Sequence, residues 1–295
     1  MTILHKKRLG EIQAFIFILL RNVRKYLLFL LCIKVYKFMV EIYNEDCLVG
    51  MDKIPDHSVD CIICDLPYGT TACPWDIIIP FDKLWEQYKR IIKENGAIVL
   101  FGQEPFSSYL RLSNIKWYKY DLVWEKEAAT NFLQLKRRFG KSTEMISIFY
   151  KNQPTYNPQF YEHTGKPVSN KYSERSKRFK SVVVANYENG KNLDIYEYHD
   201  NGKRYPKDVL RFNRVNKHKI LHPTQKPVEL IEYLIRTFTN EGETVLDNCM
   251  GSGTTGVACI NTNRNFIGFE LNKEYFDIAS NRINDAIKDK ENVLW

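Results

Sequence analysis

At 295 residues, 44% of them hydrophobic and 14% aromatic, the chain holds enough apolar material for one large core or two modest ones, which argues against disorder as the default. Seven cysteines, Cys32, Cys47, Cys61, Cys64, Cys73, Cys249 and Cys259, form an odd set without the spacing of a secreted disulfide framework and point to a reducing cytoplasm. The net charge of +8 is unevenly spread: residues 1–38 carry eight Lys and Arg against Glu11 alone, residues 135–220 carry nineteen against eight Asp and Glu, and the remainder is acidic.

The first 38 residues contain two apolar runs, Ala14 to Leu20 and Tyr26 to Ile33, split by Arg21, Arg24 and Lys25. Both are shorter than the roughly 18 to 20 residues of a spanning helix, and no small-residue cleavage site follows them. Met39-Val40-Glu41-Ile42-Tyr43 reads as a domain start, so residues 1–38 are expected to be an extension outside the domain, with a basic membrane-surface helix as the alternative. From Val40 onward, short apolar runs alternate with helical periodicity, the pattern of an α/β sheet covered by helices. Strands are expected at Val40 to Tyr43, Val59 to Cys64, Ala97 to Phe101, Leu122 to Trp124, Ile146 to Tyr150, Thr244 to Leu246 and Phe266 to Glu270. Helices are expected at Phe81 to Glu94, Pro227 to Phe238, Thr254 to Thr262 and Glu274 to Lys288. Cys61 and Cys64 lie inside an apolar run with no second pair at zinc spacing, so they read as buried strand thiols, and no metal site is expected.

Two loops follow expected strands. Asp247-Asn248-Cys249-Met250-Gly251-Ser252-Gly253-Thr254-Thr255-Gly256 opens a helix, and its glycines allow a ligand close to the backbone. The Lys of a phosphate-clamping loop is absent, whereas Glu270, ending the next strand, can take both hydroxyls of a ribose. Asp65-Leu66-Pro67-Tyr68-Gly69 ends the strand Val59 to Cys64. An exocyclic amine of a nucleobase is a poor nucleophile because its lone pair is delocalised. Acceptors aimed at its N–H groups, here the Asp65 carboxylate and the Leu66 carbonyl, favour a tetrahedral nitrogen and stabilise charge developing in attack. Tyr68 offers an aromatic face on which an extruded base can stack.

With Asp65 to Tyr68, His222-Pro223-Thr224-Gln225-Lys226-Pro227 and the Gly-rich loop in that order, the chain resembles the amino-methylating DNA methyltransferases of the permuted beta group, from Met39 to its C-terminus. The likeness is greatest to enzymes of phage or restriction–modification origin. It implies a Rossmann-like α/β fold, circularly permuted, with an inserted DNA-recognition region. A catalytic half at 39–134, a basic insert at 135–220 and a cofactor-binding half at 221–295 would follow. It also implies S-adenosylmethionine as cofactor and Asp65, Leu66, Pro67 and Tyr68 as the catalytic motif. Asp247, Gly251 and Gly253 would line the cofactor pocket, Glu270 would hold the ribose, Asp46 would lie beside the adenine, and Thr224 and Lys226 would lie near the methionine end. Leu66 replaces the family's usual Pro, and Asn248 and Cys249 stand where it usually has Pro and Phe. Asp at position 65 favours adenine N6 over cytosine N4. The alternatives are the cytosine N4 reaction and a catalytically silent DNA-binding protein of the same fold.

Double-stranded DNA is the expected partner. Lys136, Arg137 and Arg138, then Arg175, Lys177, Arg178 and Lys180, then Lys203 and Arg204 set cations among Tyr, Phe and Asn, groups suited to phosphates and base edges. A cognate restriction endonuclease and a homodimer are compatible with the resemblance, and no stable membrane association is expected.

Overall fold

In a computed structural model of the protein, the described residues are 39–70, 73, 76–162, 203–216 and 220–293. The expected extension at 1–38 and the cations Arg175, Lys177, Arg178 and Lys180 lie outside them. The elements are, in chain order, β1 (Val40–Tyr43), α1 (Cys47–Met51), β2 (Val59–Cys64), α2 (Phe81–Ile91), β3 (Ile92–Gly102), α3 (Phe106–Ser113), β4 (Tyr118–Glu125), β5 (Thr143–Phe149), β6 (Tyr161–Glu162), β7 (Lys203–Arg204), β8 (Val209–Arg211), α4 (Val228–Phe238), β9 (Thr244–Asp247), α5 (Thr254–Asn261), β10 (Asn265–Phe269) and α6 (Lys273–Val293).

Eight strands among the described residues form one sheet in the order β1-β10-β9-β2-β3-β5-β4-β8. β1, β10, β9, β2 and β3 run parallel. β5 is antiparallel to both β3 and β4, and β8 lies parallel to β4 at the edge. Outward from the β2/β9 boundary the chain proceeds from β2 to β3 on one side and from β9 to β10 on the other. That boundary is the topological switch at which open α/β sheets leave a crevice beyond the strands' carboxyl ends.

β2 and the second half of β3 are buried on both faces, as parallel strands between helical layers must be. Helix α2 buries Leu84, Trp85, Tyr88 and Ile91, a stripe at helical spacing, in one apolar cluster with Ile62, Ile98 and Leu100. The helix ends sooner than its periodicity predicts. Ile92 is already extended and pairs with Val59 of β2, Lys93 reaches Asp60 at 2.7 Å, and the sheet takes residues expected to be helical. α1, α3, β8 and the small β6–β7 pair had no clear periodicity to announce them. The basic stretch 135–220 does not stand apart from the body, since it supplies β5 and β8 to the main sheet. No helix among the described residues is long and apolar enough to cross a membrane.

Candidate active site

At the carboxyl end of β2 the chain leaves the sheet as Asp65-Leu66-Pro67-Tyr68-Gly69. Leu66 is buried in the core and anchors the loop from below. Gly69 adopts φ +65°, and Asp76 accepts hydrogen bonds from the amides of Gly69 (2.8 Å) and Thr70 (2.9 Å), tying the loop's far end back to the chain.

The side chains on this loop enter a buried ionic network. Asp65 Oδ1 accepts a hydrogen bond from the Tyr68 hydroxyl at 2.5 Å, and Oδ2 accepts one from Lys226 Nζ at 2.5 Å. The same ammonium lies 2.9 Å from Glu144 Oε1, and Glu144 Oε2 meets Lys126 Nζ at 2.7 Å. Carboxylates and ammoniums therefore alternate from Asp65 through Lys226 and Glu144 to Lys126. Burial works to raise the Glu144 carboxyl, but Lys226 and Lys126 outweigh it and hold the group at about 2. At Asp65 burial wins, and the carboxyl lies above its ordinary range despite Lys226. Burial also pushes the Tyr68 hydroxyl up, which keeps it a donor. The Tyr68 ring packs against Phe106, with centroids 4.9 Å apart and tilted by 30°.

The second half of the site is built by β9, β10 and the loop between β9 and α5. Gly251 and Gly253 both take positive φ, at +51° and +77°. The Gly251 amide donates to Glu270 Oε2 at 2.9 Å and the Asn272 amide donates to Oε1 at 2.8 Å, so Glu270 is oriented by backbone on both oxygens. Burial raises its carboxyl. Asp247 accepts from the Thr255 hydroxyl (2.6 Å) and the Cys249 amide (3.1 Å), and burial lifts it to about 6. Asp46 caps α1 through the Leu48 amide at 2.8 Å.

A cavity of about 390 Å³ joins the two halves; Asp46, Asp247, Gly251 and Glu270 border it, as do Asp65, Leu66, Pro67, Tyr68, Thr224 and Lys226. Gly253 does not line it. A Cβ there would stand 2.8 Å from Ala279 Cβ, so this glycine serves the contact between the loop and α6. Lys226, expected near the cofactor, has its ammonium between Asp65 and Glu144. Asn248 is pinned by the Tyr88 hydroxyl at 2.5 Å, and Leu48, Ile63 and Ile78 supply apolar wall. Cys61 and Cys64 are buried strand thiols.

The volume and the lining suit a nucleoside bearing a charged tail: the wall carries a backbone-oriented carboxylate at Glu270, apolar side chains, and the Asp65 carboxylate. The model of the N6_N4_Mtase family, described as DNA methylase, matches residues 59–281. The chain belongs to this DNA methylase family. Over 265 residues it is 27% identical to DNA adenine methyltransferase YhdJ of Escherichia coli K12, covering 83% of each chain. It is also 27% identical to type II methyltransferase M.HpaI of Haemophilus parainfluenzae, covering 84% of this chain and 76% of that one. Among solved structures, the M1.HpyAVI–SAM complex matches at 26% identity and a TM-score of 0.55, covering 83% of this chain and all of that one. The cytosine-N4-specific PvuII DNA methyltransferase, at 15% identity and a TM-score of 0.58, shares the fold.

Of the cations the sequence leads one to expect at DNA, Lys136, Arg137 and Arg138 are exposed on the β4–β5 loop. Lys203 and Arg204 form β7, paired with Glu162 and Tyr161 of β6. Sequence reasoning missed Glu144, Lys126 and Asp76. The signal for Glu144 was a lone acid beside the apolar run Met145 to Phe149, and for Asp76 an acid just before Ile77-Ile78-Ile79.

Proposed function

We propose that this methylase is site-specific and transfers the methyl group of S-adenosylmethionine to the N6 amino group of an adenine extruded from double-stranded DNA. The observation that carries the reading is the Asp65 carboxylate on the wall of the cavity that also holds Glu270. Bound there, the cofactor supplies an electrophilic sulfonium methyl. Glu270 and Asp46 would hold its adenosine end, and Thr224 would lie toward its methionine end. Asp65 has both oxygens engaged, yet a carboxylate accepts about four hydrogen bonds, so it can still take an N–H of the target amine. The Leu66 carbonyl takes the other. Held in this way, the amino nitrogen would be the nucleophile toward that methyl group, the N–C bond forming as the S–C bond breaks, with S-adenosylhomocysteine as the leaving product and the surplus proton of the amine passing to solvent. Lys226 keeps Asp65 oriented, and Tyr68 stacks on the base.

The catalytic loop precedes the Gly-rich loop in the chain, the order of the circularly permuted group. Extended further, the reading places the enzyme in the cytoplasm beside a restriction endonuclease of the same specificity. Incubation with tritiated S-adenosylmethionine and unmethylated mixed-sequence duplex DNA, followed by digestion to nucleosides, should put the label in N6-methyladenine. Label in N4-methylcytosine would move the target to cytosine, and no label would leave a silent DNA-binding protein.

A further inference from the structure

The β4–β5 connection, residues 126–142, is tied to the catalytic network at both feet. Lys126 at one foot pairs with Glu144 just past the other, and Glu144 in turn meets Lys226 and lies 3.1 Å from the Tyr68 hydroxyl. Both ends stand at the edge of the sheet from which Asp65 emerges, because Gly102 at the end of β3 is in register with Met145, and Glu125 with Thr143. The loop is braced internally. The Lys126 amide donates to Ser142 O at 2.7 Å and the Thr130 amide to Lys141 O at 2.9 Å; Asn131 accepts from the Lys141 amide at 2.6 Å and donates to Phe139 O at 3.1 Å.

The segment closed off by Asn131 displays what a folded protein ordinarily hides. Phe139 is 97% exposed, Leu133 85% and Phe132 69%, with Lys136, Arg137 and Arg138 exposed among them. A braced loop that holds apolar side chains in water, interleaved with cations, and whose feet join the network that holds Asp65, has a specific chemical fit. Removing a base from a duplex leaves a gap lined by base faces and flanked by phosphates, and apolar side chains can fill such gaps while cations hold the backbone.

We propose that this loop is the wedge of the enzyme: Phe139 and Leu133 enter the stack at the position vacated by the target base, while Lys136, Arg137 and Arg138 grip the neighbouring phosphates. The inference rests on the methyl-transfer reading above. A wedge matters where there is a stack to hold open, so its loss is felt on duplex and not on single strands. The variant Leu133→Ala/Phe139→Ala should methylate unmethylated mixed-sequence duplex DNA at least ~10-fold more slowly, the scale of one lost stacking contact. Its rate on the same DNA after heat denaturation should stay within about 3-fold of the unsubstituted protein's, since no stack remains there to be held open. Independently, Phe139→Trp should give an indole emission that duplex DNA quenches by ~2-fold or more, as stacking on bases requires. Equal loss on both DNAs, no loss on either, or an emission unmoved by duplex would overturn the wedge. Failure of the unsubstituted protein to methylate either DNA would instead sink the methyl-transfer reading.

Discussion

Both oxygens of Asp65 are held, one by the Tyr68 hydroxyl and one by the Lys226 ammonium. In the proposed reaction its carboxylate would enter already oriented. Replacing it (Asp65→Ala) should slow single-turnover methyl transfer at least ~100-fold, the scale of a lost electrostatic contact to the reacting group, while S-adenosylmethionine affinity by calorimetry barely moves. Glu144 is different, for it neutralises two buried ammoniums at once. Glu144→Ala strands Lys126 and should cost about 3–5 kcal/mol in urea unfolding. His222 gives the site a pH signature. Burial, with help from Lys226, lowers its imidazole to about 4, whereas the unfolded chain titrates near the ordinary value of 6.5. Between those values the unfolded state binds a proton that the folded state refuses, so the contribution is full above pH 6.5 and lost as pH falls toward 4. The stability difference between the natural protein and His222→Gln, read from urea midpoints at pH 7 and pH 4, should shrink by up to about 3 kcal/mol.

At the level of elements, the turn from β9 into α5 depends on backbone shapes that only glycine adopts cheaply. Gly253 has φ +77° and faces Ala279 of α6, where an added Cβ would meet Ala279 Cβ at 2.8 Å and its Cα at 3.0 Å. Gly242, just before β9, has φ +81° with nothing within 4 Å of such a Cβ. The pair separates strain from contact. Gly242→Ala should cost roughly 1–2 kcal/mol, the left-handed penalty alone. Gly253→Ala should cost more, because α6 must give way as well; equal losses in urea unfolding would show that α6 yields freely.

Over the whole molecule, the proposed phosphate contacts fall to cations of the basic stretch, and among the described residues three of these are exposed together. Lys136, Arg137 and Arg138 occupy the β4–β5 loop, remote in sequence from the carboxylates that line the cavity. Changing all three to Gln should weaken duplex binding and reduce the slope of log K against log salt by up to about 2.7, at roughly 0.9 per phosphate contact. Affinity for S-adenosylmethionine should hold. A fall in both would mean that the loop supports the cavity.

The sequence by itself determined the strands β1, β2, β9 and β10 and the two loops that follow β2 and β9. These are local features: an apolar run of strand length ends at turn residues whose chemistry is readable in place. The helices α2 and α4 were legible for the same reason, through their stripes of buried side chains. Only the tertiary structure decided that Glu144 and Lys126 join Asp65, that Lys226 stands between two carboxylates, that the helical pattern of α2 yields to β3 at Ile92, and that β8 extends the sheet. Each depends on a partner distant along the chain: Glu144 follows Asp65 by 79 residues, and Lys226 by 161. A charged residue beside a strand carries no local mark of whether it faces water or a buried counter-ion, because that choice belongs to whatever the sheet brings alongside it.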